Sequence, residues 1–190
     1  MRVFDFDGTI YDGESSIDFF LFELKRHPKN LRFLPHVISA LIRYKRLLVS
    51  YDELKAGLET YGSQFLGTIP DLMADIRLFW DRKMHKIKDC YLEIRQPDDV
   101  ILSAGPDFLI KELASRLGIR TVIASEYDFE RNKIITLCYR KHKCDCFKRH
   151  FPDAVIDEFY TDSENDRAVF PLAKKVYIVK GNIIKELTDR

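Results

Sequence analysis

One short apolar strand, Val3 to Phe6, is cut off from every other strand-like run by a stretch that reads only as helix, roughly Ser15 to Lys88. That strand can find partners only across a helical insert. Ser15 or Ser16 can cap a first helix carrying Ile17, Phe20, Leu21 and Leu24 at helical spacing, and Pro28 ends it. Pro35 suits the first turn of a second helix with Val37, Ile38, Leu41 and Ile42. Ser50 with Glu53 forms a capping-box pattern before a third, and Pro70 opens a fourth with Leu72, Ile76, Phe79 and Trp80.

From Asp99 the pattern alternates. A strand over 99–103 leads into a helix over 106–117, closed by Gly118. Arg120 to Ser125 and Lys133 to Cys138 read as a hairpin-like pair across Glu130-Arg131-Asn132. A helix over 143–150, a strand over 156–161, a helix over 164–173 and strands over 175–179 and 183–186 complete the chain. Strand, helical insert, then alternating strand and helix predict an α/β fold: an open, largely parallel sheet with helices on both faces.

Composition narrows the function. With 31 basic and 30 acidic residues the formal net charge is +1, so the whole molecule carries no bias toward nucleic acid. No apolar run reaches the ~18–20 residues that span a bilayer. Arg2, Asp5 and Asp7 argue against a secretory leader, so the expected location is cytoplasmic and Cys90, Cys138, Cys144 and Cys146 are expected as free thiols. Cys138, His142, Cys144, Cys146 and His150 are close in sequence, but their spacing is not that of a zinc knuckle.

The chemistry-bearing residues fall where strands end. Asp5-Phe6-Asp7-Gly8-Thr9 follows the first strand directly. Residues i and i+2 of a strand point the same way, so one carboxylate can attack phosphorus while the other handles the leaving group's proton. A calcium loop would need oxygen ligands at positions 5 and 12, which here are Thr9 and Ser16, without a flanking helix pair. Ser103-Ala104-Gly105 ends a strand at a helix N-terminus, where a hydroxyl and free N–H groups can bind phosphate. Lys143 opens a later helix whose Cys144 and Phe147 seat it on the sheet, although Lys141 and Lys148 are neighbours. Asp162 and Asp166 flank another strand end and offer hard oxygen ligands suited to Mg²⁺.

These four clusters, in chain order, resemble the motifs of the haloacid dehalogenase (HAD) superfamily, and the helical insert resembles the C1 cap of its phosphoserine-phosphatase-like branch. The resemblance implies a Rossmann-like core of residues 1–12 and 96–190 and an all-helical cap of 13–95. It implies a Mg²⁺-dependent phosphatase of a small phosphorylated metabolite. Asp5 would be the nucleophile, Asp7 the acid and base, and Ser103 and Lys143 the charge stabilisers. Ala104 and Gly105 would contact the phosphate. Asp5, the backbone carbonyl of Asp7, and Asp162 would hold the metal, with Asp166 ordering that shell or Lys143. Two departures stand out: Thr161 replaces the usual Gly before Asp162, and Arg140-Lys141-His142 stands where members often carry a Gly.

Glu14 occupies the place of a Glu that, in phosphoserine phosphatases, meets the substrate's amino group. The cap arginine of those enzymes has no counterpart between Tyr51 and Tyr61, where Lys55 is the only cation. This favours a phosphoserine-like or amino-alcohol phosphate over phosphoserine itself. A second feature is Lys25 to Arg46, with seven Lys and Arg residues and no acid. Membrane contact there is the less favoured reading, since the segment's apolar residues are expected to hold the cap helices together. It would suit a phosphatase of a lipid head group such as phosphatidylglycerophosphate. The remaining alternatives are a phosphomutase and a catalytically silent binding module. The sequence sets no oligomeric state.

Overall fold

The computed structural model describes residues 1–45 and 50–188. Strand β1 (Arg2–Phe4) lies at the centre of a seven-stranded sheet of order β4-β3-β2-β1-β5-β6-β7. The others are β2 (Val100–Pro106), β3 (Thr121–Asp128), β4 (Lys133–Thr136), β5 (Ile156–Thr161), β6 (Ala173–Lys180) and β7 (Ile183–Glu186). The five inner strands are parallel, and β4 and β7 pair antiparallel at the two edges. Because β1 has β2 on one side and β5 on the other, the chain reverses its winding there. Open sheets place ligands at the carboxyl ends of strands at such a crevice.

Alternation builds the two faces. Val3, Leu102, Ile123 and Phe159 bury into one cluster with Cys146 and Phe147 of helix α8 (His142–His150, numbered in chain order with the helices below). Phe4, Ile101 and Tyr160 bury into the other. There Phe4, Tyr160 and Tyr177 stack across β1, β5 and β6 with ring centroids 4.2 and 4.7 Å apart.

The insert holds α1 (Ser15–Arg26), a 3₁₀ turn Pro28–Phe33, α2 (Leu34–Lys45), α3 (Tyr51–Gly57), a π turn Leu58–Gly62, α4 (Ser63–Leu66), α5 (Leu72–Lys83) and α6 (Asp89–Ile94). Ser50 and Glu53 form the expected capping box on α3. α1 and α5 share the second cluster with the sheet and with α7 (Asp107–Leu117): Phe19, Phe79 and Trp80 pack with Phe6, Leu109 and Leu113. Trp80 Nε1 donates to the Leu109 carbonyl at 2.8 Å, so the indole is satisfied although fully buried. Gly118 ends α7 at φ 72°, the left-handed position a C′ glycine fills without penalty.

Three expectations are corrected. The N-cap of α1 is Glu14, not Ser15 or Ser16, and it makes no side-chain cap bond. The run 164–173 is not one helix but two 3₁₀ turns, Glu164–Asp166 and Phe170–Leu172. Pro171 has no N–H to continue a helix, and the Asp166 side chain is drawn inward. The apolar residues of the basic segment do not all hold the cap together: Leu31, Ile38 and Ile42 are 55, 47 and 48% exposed. Periodicity gave α2 an apolar stripe, but among the described residues no neighbouring element covers those three side chains. Arg46, and the side chains of Leu41 and Lys45, lie outside the described residues.

Candidate active site

The carboxyl ends of β1, β2 and β5 bring Asp5, Ser103 and Asp162 to one crevice, and α8 delivers Lys143 from the side. Asp5 follows β1, with its N–H bonded to the Tyr160 carbonyl at 2.8 Å. Lys143 is 4% exposed, whereas Lys141 and Lys148 are exposed, so burial singles it out. Lys143 Nζ donates to Asp5 Oδ1 at 2.7 Å and lies 2.7 and 2.8 Å from the two oxygens of Asp166. Asp166 Oδ2 also accepts the Thr161 hydroxyl at 3.0 Å. Thr161, in place of the family's usual glycine, thus helps fix the carboxylate that fixes the lysine.

This is a buried cation between two buried carboxylates. Burial works against the Lys143 charge, yet Asp5 and Asp166 outweigh it and hold its proton more tightly than usual. Burial pushes the Asp5 carboxyl up to about 8, reinforced by Asp166 and Asp162 and opposed by Lys143. Asp162 is raised by burial and by Asp166. Carboxylates that raise one another's proton affinity in a buried pocket are the donor set a hard divalent cation neutralises. Asp162 presses on the Asp5–Gly8 turn: a Cβ on Gly8, at φ 75°, would fall 2.1 Å from Asp162 Oδ2. These residues fit Mg²⁺. Both oxygens of Asp166 are committed to Lys143.

Asp7 is partly exposed and turned toward the insert. Its Oδ1 accepts the Ser15 N–H at 2.6 Å, one of the free donors at the start of α1. Burial pushes Asp7 up to about 7; the Ser15 bond opposes this and the Glu14 charge adds to it. Glu14 itself is exposed beside the site. The Ser103 hydroxyl is buried and accepts the Gly105 N–H at 3.0 Å. A Cβ on Gly105 would stand 3.4 Å from that hydroxyl and 3.7 Å from Asp7 Oδ2, so bare backbone there leaves room between acid and hydroxyl. Ala104 packs against a small cluster of Ile134, Leu137 and Tyr139, with Tyr51 and Leu54 of α3 beside it.

Two residues escaped the sequence reading. Lys88 is 7% exposed, donates through Nζ to the Gly8 carbonyl, and lowers the proton affinity of Asp162 against the burial that raises it. It gets there because segment 86–88 pairs with 10–12: Asp12 N–H donates to the Lys86 carbonyl at 2.8 Å and Lys88 N–H to that of Ile10 at 2.9 Å. Arg140 takes φ 49° and lies over the Tyr139 ring at 4.9 Å. Its Nε and Nη2 are buried without hydrogen-bond partners. The departure from the family's glycine at this loop was the available signal.

Solved structures share this fold. A protein of unknown function from Bordetella pertussis Tohama I superposes with a TM-score of 0.75 at 16% identity, over 93% of this chain and 87% of that one. A phosphoserine phosphohydrolase-like protein from Francisella tularensis SCHU S4 gives 0.56 at 18% identity, over 93% and 86%. A phosphoserine phosphatase in its apo form gives 0.55 at 15%, over 92% and 83%. At these identities the likeness is one of fold. No curated protein matches the sequence. The sequence model of the haloacid dehalogenase-like hydrolases matches residues 3–171, which spans all four strand-end clusters. The chain belongs to the haloacid dehalogenase-like hydrolase family.

Proposed function

We propose that this hydrolase is a Mg²⁺-dependent phosphomonoester phosphatase acting through an aspartyl phosphate. The observation that carries the reading is the pairing of Asp5, held at 2.7 Å by Lys143, with an Asp7 whose proton affinity lies near neutrality. Asp5 attacks phosphorus in line and becomes phosphorylated. Asp7 gives its proton to the leaving oxygen, then takes one from the water that hydrolyses the intermediate. Lys143, Ser103 and the backbone at Ala104–Gly105 offset the charge that builds on the phosphoryl oxygens. Asp5, Asp162 and the Asp7 carbonyl would hold Mg²⁺, which when bound supplies further positive charge at the same oxygens. Residues 1–12 and 96–190 serve as the catalytic core and 13–95 as the cap.

The substrate class we favour is a small phosphorylated metabolite, phosphoserine-like or an amino-alcohol phosphate. Exposed Glu14, next to the residue that bonds Asp7, supports it as the partner of a substrate amine. Phosphoserine phosphatases among the similar folds support the same class. The test is phosphate release, with and without EDTA, from amino-alcohol phosphates, sugar phosphates, nucleotides and lysophospholipid phosphates. Turnover of amino-alcohol phosphates that EDTA abolishes is expected. No turnover of any phosphomonoester would leave a binding module, and a rearranged product in place of free phosphate would mean a mutase.

A lipid head-group substrate is the second reading. Exposed Leu31, Ile38 and Ile42 beside exposed Lys29, Arg32 and Arg43 favour it. No helix among the described residues is long and apolar enough to cross a membrane. Salt-sensitive sedimentation with anionic vesicles, together with turnover of lysophospholipid phosphates, would select this reading.

A further inference from the structure

Away from the crevice, three ligating side chains meet where α1 ends and α5 begins. Glu23 and the capping residue His27 stand four positions apart on one helix face, and Asp75 comes from the first turn of α5. Glu23 is fully buried and Asp75 nearly so. One ligand atom from each lies within 4.8 Å of the others. His27 Nε2 is 3.6 Å from Glu23 Oε2 and 3.8 Å from Asp75 Oδ2. These separations are too long for hydrogen bonds, which end near about 3.2 Å. Among the described residues, neither oxygen of Glu23 nor Nε2 of His27 has a hydrogen-bond partner.

Spacing and lack of partners have one common explanation. An ion with bonds of about 2.0–2.2 Å sets tetrahedral ligand atoms roughly 3.3–3.6 Å apart. The observed distances are those of a metal's ligands, opened slightly. Arg26 is the competing partner. Its Nη2 donates to Asp75 Oδ1 at 2.8 Å, which leaves Oδ2 facing His27, and ligating carboxylates are commonly held by such an outer bond. It does not satisfy Glu23, since Nε is 3.9 Å away.

We propose that Glu23, His27 and Asp75 bind a divalent transition-metal ion, zinc by ligand type, that clasps α1 to α5. One imidazole and two carboxylates supply three ligands, and water completes a four-coordinate shell. A nitrogen donor in the set favours zinc over magnesium. The site is separate from the crevice: Glu23 lies about 12 Å along α1 from Ser15, which bonds Asp7. Its role is to fix the geometry of the cap's base, and it takes no part in the hydrolytic step.

The test is a zinc titration of the full chain, followed by calorimetry in excess Mg²⁺ so that the all-oxygen site is occupied. One equivalent is expected. Cobalt in its place should give the visible absorption of a four-coordinate centre. His27→Gln and Asp75→Asn should each weaken zinc binding tenfold or more, and zinc should raise the Tm of the parent but not of either variant. Asp162→Asn should bind zinc as the parent does. His27 is partly exposed, so its variant should fold, and circular dichroism checks this. If neither variant folds, the parent's cobalt spectrum decides. No stoichiometric zinc, no cobalt band, unchanged binding in both folded variants, or loss of binding in Asp162→Asn each overturns the proposal.

Discussion

The Ser15 N–H donates to Asp7 Oδ1 at 2.6 Å, so the residue that starts α1 orients the carboxyl group assigned to proton transfer. The other oxygen, Oδ2, faces the gap beside Gly105 and the Ser103 hydroxyl. One oxygen is thus committed to position and the other is free for chemistry.

Asp7→Asn keeps an acceptor for Ser15 but cannot give or take the proton. With p-nitrophenyl phosphate, whose leaving group needs little help, phosphorylation of Asp5 should continue while hydrolysis slows about 10²–10⁴-fold. Acid quenching of labelled substrate should trap an acyl phosphate. Asp5→Asn should trap none and turn over nothing, and full activity in that variant would remove the mechanism.

Lys143→Met strands two buried carboxylates. Removing one partner of a buried ionic cluster costs about 3–5 kcal/mol. Urea unfolding at pH 7 should show a loss of that order, and Mg²⁺ should restore part of it without restoring turnover. An unchanged midpoint would mean that Asp5 and Asp166 do not depend on this lysine.

Lys88→Met removes a cation from the Gly8 carbonyl and from the neighbourhood of Asp162. If Lys88 helps hold the phosphoryl group, KM should rise about tenfold for all phosphomonoesters, the scale of one lost charge-assisted contact. A change confined to one substrate would place Lys88 in substrate selection instead.

The chelated protein should lose stability as pH rises. The folded carboxyls of Asp5 and Asp7 lie at about 8 and about 7, above their ordinary value of 3.8. Between those limits the native state holds more protons than the unfolded chain, so unfolding becomes easier with rising pH. Tm in EDTA should therefore fall between pH 5 and pH 8, and Mg²⁺ should flatten the slope. A Tm that rises over that range in EDTA would contradict the raised values.

What the sequence disclosed and what it withheld follow from the reach of each signal. The capping box at Ser50 and Glu53, the stop at Gly118 and the strand-end aspartates are local patterns, and each stands where its neighbours in the chain dictate. Lys143 is buried where Lys141 and Lys148 are exposed, a difference set by the seating of α8 on the sheet, which Cys144 and Phe147 hinted at. Lys88 carried no local signal, because its position depends on a pairing between residues 86–88 and 10–12. The exposed face of α2 was hidden for a similar reason: an apolar stripe shows which side is greasy, not whether anything lies against it. In the run 164–173, Pro171 was visible, but the inward pull of Lys143 on Asp166 was not.

The pairing of 86–88 with 10–12 joins the two places where the chain passes between sheet and helices. Trp80, bonded to Leu109, secures α5 nearby. A movement that parted this crossing would carry Lys88 away from Gly8 and Ser15 away from Asp7. Parting the crossing and disarming the pocket would then be one mechanical event, with Asp7 losing its alignment and the Asp5–Gly8 turn its cation in the same movement.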